Sequence, residues 1–190
     1  KELNKEGQEI LRCILKKDLR IGAQLKTIQK VFNHQDFSEF KIMLCQDFDK
    51  FKYKMTFPAL AQIKFDAARV IVIVQGDEVS YRTRNGKLYN IDNLELDQEF
   101  LRLRDIIGID DYAFDGELFQ RDPKTNNPKS RQASNGVSTK LIRGTASREE
   151  QKSVGIVLWD ALPLESFLMD NYEVTYQERY RALHGAHEEL

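Results

Sequence analysis

The sequence predicts an α+β fold, a helical piece followed by an antiparallel sheet that begins near residue 58. Three observations carry this. Apolar residues in the first third recur at helical spacing. The period then changes to that of strands, most densely in Arg69-Val70-Ile71-Val72-Ile73-Val74, where β-branched residues crowd together. Asn85-Gly86 follows two such runs, and it is the dipeptide a type I′ hairpin turn favours, because both central positions need positive φ. A chain of 190 residues that is 41% hydrophobic and 31% charged can bury the core this requires.

The elements follow in chain order. Ile10, Leu11, Ile14 and Leu15 predict a helix over about residues 5–19, broken by Gly22. Leu25, Ile28, Val31 and Phe32 predict a second over 24–32. Residues 59–65, 69–75 and 79–84 read as consecutive strands. Helical spacing returns from Leu96 to Ile107 through Phe100, Leu101, Leu103 and Ile106. Tyr112 to Phe119 and Val154 to Trp159 are two more strands, and Tyr176 to Glu188 is a closing helix. Residues 120–148 are rich in Asn, Ser, Thr and Gly without a hydrophobic period, and read as a long exposed loop or hairpin excursion.

Composition removes several function classes. Lys and Arg total 29 and Asp and Glu 30, a net charge of -1, so whole-chain electrostatics select no partner. Val70 to Val74 is the longest apolar run, far short of the ~20 residues a membrane helix needs. The sequence opens without a basic-then-apolar leader. Cys13 and Cys45 lack metal-ligand spacing and read as buried free thiols of a reducing cytoplasm. Extracellular, membrane and disulfide-scaffold classes are excluded on this reading. Local charge is uneven: residues 92–117 carry nine acidic side chains against two basic, and residues 120–148 carry seven basic against one acidic. The basic stretch is either a solvated insert or a surface for a phosphate backbone.

Three segments bear chemistry. Gln62-Ile63-Lys64-Phe65-Asp66-Ala67-Ala68-Arg69 sets a lysine at the end of a predicted buried strand. Burial disfavours the ammonium form, and a lysine so placed is a nucleophile near neutral pH. The plainer alternative is a snorkelling lysine beside a surface ion pair. Phe114-Asp115-Gly116-Glu117-Leu118 puts carboxylates inside an apolar strand, next to a glycine that lets another group approach the backbone. Val157-Leu158-Trp159-Asp160 ends another strand with the single tryptophan of the chain, which is either core or a stacking wall for a planar base.

In this order the segments resemble the covalent nucleotidyltransferases: ATP-dependent DNA ligases, RNA ligases and capping enzymes. Lys64 to Arg69 is similar to the family's Lys-x-Asp-Gly-x-Arg, with Ala67 where the family has glycine. Thr83-Arg84-Asn85-Gly86 is similar to Ser/Thr-Arg-x-Gly, Asp115 to Leu118 to Asp-Gly-Glu-Leu, and Trp159-Asp160 to the aromatic-Asp element that follows. Phe57 to Lys64, Arg131 to Gly136 and Arg143-Gly144-Thr145 resemble DNA ligases of T-even-type bacteriophages, and Lys17 to Ala23 resembles the last helices of their DNA-binding domain. The resemblance implies residues 1–54 as the end of a helical DNA-binding domain and 55–190 as part of an adenylation domain. The family's fourth and fifth motifs do not follow Trp159 in this sequence.

The resemblance further implies nick sealing in duplex DNA through a lysine–AMP intermediate, in replication, repair and recombination, by a monomer that uses ATP and Mg²⁺ in the cytoplasm of an infected bacterial host. Lys64 would carry AMP. Gln62 would read the adenine edge, with Ile63 in the same nucleotide pocket. Arg69 and Arg84 would hold ribose, phosphate or nick, Glu117 the ribose hydroxyl and the metal, and Trp159 the base. Arg131, Lys140 and Arg143 of the basic stretch would lie along DNA. A non-catalytic DNA- or protein-binding module on a ligase scaffold, or an RNA ligase, remains the alternative.

Overall fold

The computed structural model of the chain describes residues 3–16, 22, 42–108 and 111–190. The chain divides into two compact units, Lys1–Glu39 and Phe40–Leu190. In the first, helix α1 spans Lys5–Leu15, and Asn4 opens it by accepting a hydrogen bond from the Gly7 amide at 2.8 Å. The helix expected over residues 24–32 lies outside the described residues. Cys13 is half-buried and Cys45 exposed, so the two free thiols are not the core residues expected of them.

The second unit begins irregularly. Helix α2 (Phe48–Phe51) runs into a single 3₁₀ turn at Lys52–Lys54, and residues 55–67 form neither helix nor strand. This corrects the strand expected over 59–65 and the sheet's start near 58. The alternation of Ala59, Ala61 and Ile63 with Leu60, Gln62 and Lys64 imitates a strand. A strand also needs a partner for its backbone groups, and the next strand in sequence is already paired on both sides.

From Ala68 the order is β1 (Ala68–Gln75), β2 (Glu78–Thr83), β3 (Leu88–Tyr89), α3 (Leu94–Ile107), β4 (Tyr112–Gln120), α4 (Arg131–Arg143), α5 (Arg148–Lys152), β5 (Val154–Pro163), α6 (Leu164–Met169) and α7 (Tyr176–Glu189). The strands form one antiparallel sheet in the order β3-β2-β1-β4-β5, so the fold is α+β as predicted. Between β2 and β3 the Gly86 amide donates to the Thr83 carbonyl at 2.9 Å. Gly86 has φ of 75° while Asn85 is not in the left-handed region. The turn therefore centres on Arg84-Asn85 with Gly86 after it, instead of the expected type I′ pair.

One face of the sheet is covered. Val70, Val72 and Val74 of β1 and Phe114 and Leu118 of β4 pack with Phe100 and Leu103 of α3, Leu141 of α4 and Leu183 of α7. Each such side chain contributes about 1.5–3 kcal/mol by leaving water. Strand alternation sends Arg69 and Ile71, and Ala113, Asp115 and Glu117, to the opposite face. There Ile71, Ala113, Leu162, Leu164 and Phe167 make a second, smaller cluster. Arg69 and Glu117, further along that face, are only half-buried.

The long basic loop expected at 120–148 is interrupted by a thirteen-residue helix. A bridge between Arg121 and Pro128 closes a short excursion, and Ser130 then caps α4. Ser134, Val137, Ser138 and Leu141 form its buried stripe at helical spacing. Two serines in that stripe hid the period, and both are satisfied. Ser134 Oγ accepts from the Gln120 amide at 3.1 Å, and Ser138 Oγ donates to Tyr89 Oη at 3.3 Å. Among the described residues, no helix is long and apolar enough to cross a membrane.

Candidate active site

Register brings the motif residues to one end of the sheet. Arg69 on β1 is opposite Glu117 on β4, and Val70 is opposite both Thr83 and Gly116. Arg84, the exposed turn residue after Thr83, lies at the same end of the sheet. Three motifs separated in sequence thus meet on neighbouring strands.

Glu117 ties the irregular segment to the sheet, since Ala67 donates its amide to Glu117 Oε2 at 3.2 Å. Burial pushes the Glu117 carboxyl above its ordinary range, the Asp66 charge adds to this, and the Ala67 amide, Lys64 and Arg69 pull it back. The Ala67 contact thus brings the end of the segment that carries Lys64 and Asp66 to Glu117. Lys64 itself is exposed and stands on no strand, which corrects the buried strand end expected for it. Desolvation by a strand environment is not what surrounds this amine. Ile63 is 95% exposed and Gln62 is exposed as well. Their predicted placement on a strand is corrected with that of Lys64. Ala67 does not adopt positive φ, so the freedom of the family's glycine is unused here.

Arg69 forks onto Asp115. Its Nε donates to Asp115 Oδ1 at 2.8 Å, and its Nη2 donates to Asp115 Oδ2 and, at 2.7 Å, to the Met43 carbonyl. The guanidinium also lies 5.4 Å from the centre of the Trp159 ring. Its forked face is committed to Asp115, so Arg69 shapes the wall of the site. Burial pushes the Asp115 carboxyl up, against the downward pull of Arg69.

Trp159 is mid-strand rather than at a strand end. Asp115 pairs with Asp160 and Gly116 with Leu158, which leaves Trp159 as the extra residue of a β-bulge. A bulge re-aims a side chain, here toward Arg69. Gly116 permits the tight pairing beside it, because a Cβ there would stand 2.3 Å from the Val157 carbonyl oxygen.

Arg179, Tyr172 and Tyr176, which the motifs did not single out, complete the wall around the motif residue Asp160. Asp160 is fully buried and forked by Arg179 of α7, Nε to Oδ1 at 2.8 Å and Nη2 to Oδ2 at 2.9 Å. The Arg179 guanidinium sits between the Tyr172 and Tyr176 rings, at 5.7 and 5.5 Å. Tyr176 Oη lies 2.8 Å from the Trp159 carbonyl and 2.5 Å from the Gln62 side chain. The signal available in the sequence is Tyr176-x-x-Arg179, two residues on one helical face.

The basic residues separate. Arg131, at the start of α4, reaches Asp66 at 3.2 Å and so borders the Lys64 segment. Lys140 pairs with Glu150 at 2.5 Å, and Arg143 is exposed at the last turn. Lys140 is nine residues along the helix from Arg131, about 14 Å at 1.5 Å per residue.

Among the described residues, no three His, Cys, Asp or Glu side chains come together as a metal cage. Glu117 with Asp66 nearby suits Mg²⁺ held jointly with phosphate oxygens, because Mg²⁺ takes one or two carboxylates and keeps the rest of its octahedron for water and substrate.

This end of the sheet holds an arginine, a carboxylate and a bulged tryptophan, with an exposed lysine on the irregular segment that leads into β1. The model of the ATP dependent DNA ligase domain matches residues 42–189, and the chain belongs to the ATP-dependent DNA ligase family. It is similar to the DNA ligases of Enterobacteria phages T4 and T6, each 30% identical over 212 aligned residues, covering 94% of this chain and 43% of theirs. It thus spans less than half the length of the curated relatives it matches. The solved structure described as Pmar-Lig_Pre shares the fold at a TM-score of 0.60 and 24% identity, over 94% of this chain and 39% of that one. Pmar-Lig_PreS3 follows at 0.56 and 26%, over 90% and 37%.

Proposed function

We propose that this chain is the part of an ATP-dependent DNA ligase that takes AMP from ATP onto Lys64 and passes it to a DNA nick. In this reading residues 1–54 end a helical DNA-binding domain and residues 55–190 form part of the adenylation domain. The observation that carries it is the convergence of Lys64, Arg84 and Glu117 at one sheet end, with Trp159 bulged toward the same wall. Lys64 Nζ would attack the α-phosphorus of ATP, breaking the bond to the pyrophosphate leaving group and forming a phosphoramide with AMP. AMP would then move to a 5′-phosphate, and a 3′-hydroxyl would displace it to close the strand. Mg²⁺ would supply charge neutralisation on the polyphosphate, which dominates phosphoryl-type transfer.

The chain's own residues position these groups. Trp159 offers a ring face to adenine, Gln62 an amide to its edge, Arg84 a cation to phosphate, and Glu117 a carboxylate to the ribose hydroxyl. Exposure of Lys64 leaves its amine free to meet the nucleotide. The test is incubation with α-labelled ATP and Mg²⁺. The chain acquires one label, Lys64→Ala loses it, and peptide mapping finds AMP on residue 64. Label on Lys54 or Lys87 instead would end the assignment.

Nicked duplex DNA is the substrate this reading requires, and α4 supplies the basic surface. Arg131 sits beside the Lys64 segment, and Arg143 is exposed at the other end of the helix. Neutralising Arg131, Lys140 and Arg143 together flattens the dependence of log affinity on log salt by ~0.9 for each phosphate that α4 no longer neutralises. Labelling of Lys64 is retained. Equal slopes for parent and triple variant would remove α4 from the DNA interface.

A further inference from the structure

Tyr176 has one hydroxyl proton and two acceptors within reach, the Trp159 carbonyl oxygen at 2.8 Å and Gln62 Oε1 at 2.5 Å. One proton cannot serve both. The two acceptors differ in what they can change. A backbone carbonyl can only accept, whereas a glutamine amide turned by 180° presents its NH₂ in place of its oxygen. With the amide turned, both hydrogen bonds are made at once: Tyr176 donates to the Trp159 carbonyl, and Gln62 Nε2 donates to Tyr176 Oη. The Gln62 oxygen then faces away from Tyr176.

We infer that Tyr176 is a positioning residue that locks the Gln62 amide with its oxygen outward, and so sets the choice of adenine over guanine. This rests on the proposed seating of the nucleotide base against Trp159. An outward oxygen accepts from the exocyclic amino group of adenine. The carbonyl oxygen that guanine carries at the same place would face it lone pair to lone pair. Guanine at this place loses the pairing and sets two acceptors against each other, which lowers its affinity relative to adenine.

The tyrosine is itself held. Its ring stacks on the Arg179 guanidinium at 5.5 Å, and Arg179 is fixed by both oxygens of buried Asp160. Tyr176 is the first residue of α7, whose start is fixed by a reciprocal cap between Thr175 and Glu178. The helix thus presents the hydroxyl at a defined point beside a segment, residues 55–67, that has no helix or strand of its own. Without that hydroxyl the Gln62 amide turns freely and offers donor or acceptor to either purine.

The experiment measures equilibrium binding of ATP and GTP by calorimetry to the 190-residue chain, to Tyr176→Phe, to Gln62→Met and to the double variant. The parent prefers ATP, and Tyr176→Phe reduces the ATP-to-GTP affinity ratio about tenfold or more, in line with removal of one oriented polar pairing. Melting temperature stays close to the parent's, since the ring and its stacking on Arg179 are kept. In the Gln62→Met background the tyrosine change has no further effect on the ratio. A parental ratio in Tyr176→Phe, with a lowered one in Gln62→Met, overturns the lock and leaves the nucleotide site standing. A parent that binds neither nucleotide overturns the site reading and the lock together. The unmutated protein gives an independent check by NMR. A Gln62 side-chain amide proton protected from exchange supports the lock, and two freely exchanging protons refute it.

Discussion

Asp115 and Asp160 are cross-strand partners on β4 and β5, and each is gripped in a two-pronged fork by an arginine from elsewhere. The surroundings differ. The Arg179–Asp160 side chains are 5% and 0% exposed, flanked by two tyrosine rings, with Arg179 Nη1 also donating to the Val174 carbonyl. The Arg69–Asp115 side chains are 20% and 7% exposed, and the pair opens toward Trp159 and the Lys64 segment. The same pairing fastens α7 to the sheet where it is sealed, and forms the wall of a site where one side is left open. Burial makes both pairs expensive to assemble, and it makes the sealed one far more expensive to break.

The largest effect is therefore expected at the sealed fork. Asp160→Ala leaves a buried guanidinium without its partner and costs about 3–5 kcal/mol. That is a large share of the roughly 5–15 kcal/mol a domain possesses, and urea unfolding measures it. Replacing both partners, Asp160→Leu with Arg179→Met, recovers much of the loss, because no buried charge is then orphaned. If Asp160→Ala proved no worse than the equivalent change at Asp115, the distinction between the two forks would collapse.

At the open fork, Asp115→Ala costs less, about 1–3 kcal/mol, the usual penalty for an unsatisfied polar group. Arg69 keeps its bond to the Met43 carbonyl and can turn toward water. A second signal separates this variant from the first. Freed from Asp115, the guanidinium leaves its place over the Trp159 ring, so the emission of the chain's single tryptophan shifts in the folded state. Unchanged emission would mean that Trp159 and Arg69 are not coupled as their 5.4 Å approach requires.

The strands that carry this comparison were legible in the sequence, because β1, β2, β4 and β5 are dense in β-branched and aromatic residues and their hairpin turn is punctuated by glycine. With those strands placed, Arg69 and Glu117 stand opposite each other on β1 and β4. Three things were not legible. Residues 59–65 have the strand period but no place in the sheet, and period cannot report pairing. Helix α4 buries Ser134 and Ser138, whose hydroxyls count as polar until their partners Gln120 and Tyr89 are known. The Arg179–Asp160 fork spans nineteen residues, and nothing local says which arginine meets which aspartate. Lys64 shows the consequence. Its expected burial depended on a strand pairing that does not form, and the residue is exposed.

The smallest effect expected is at Glu117, which faces the open side of the same sheet, and its sign follows from linkage. Burial raises the carboxyl of the folded chain above its ordinary value of 4.5. Between the unfolded and folded values, the folded chain holds a proton that the unfolded chain has released, so stability falls as pH rises through that window. Glu117 thus adds stability that is fully present below the unfolded value and is lost as pH climbs past the folded one. Glu117→Gln removes the titration while keeping an oxygen to accept from the Ala67 amide, 3.2 Å away in the parent. The variant should match or slightly exceed the parent in melting temperature at pH 7, with the difference shrinking as the pH is taken below the ordinary carboxyl range. Asp115 shifts in the same direction in both proteins, so the difference between them isolates Glu117. Melting curves of the two chains between acid and neutral pH provide the measurement. A variant less stable than the parent at pH 7, by an amount that pH does not change, would mean that the Ala67, Lys64 and Arg69 interactions outweigh burial. Glu117 would then belong with Asp160 as a fastening of the fold. A stability gain at neutral pH would instead mark a carboxylate kept at a cost to the fold, as expected of a group that serves the open side.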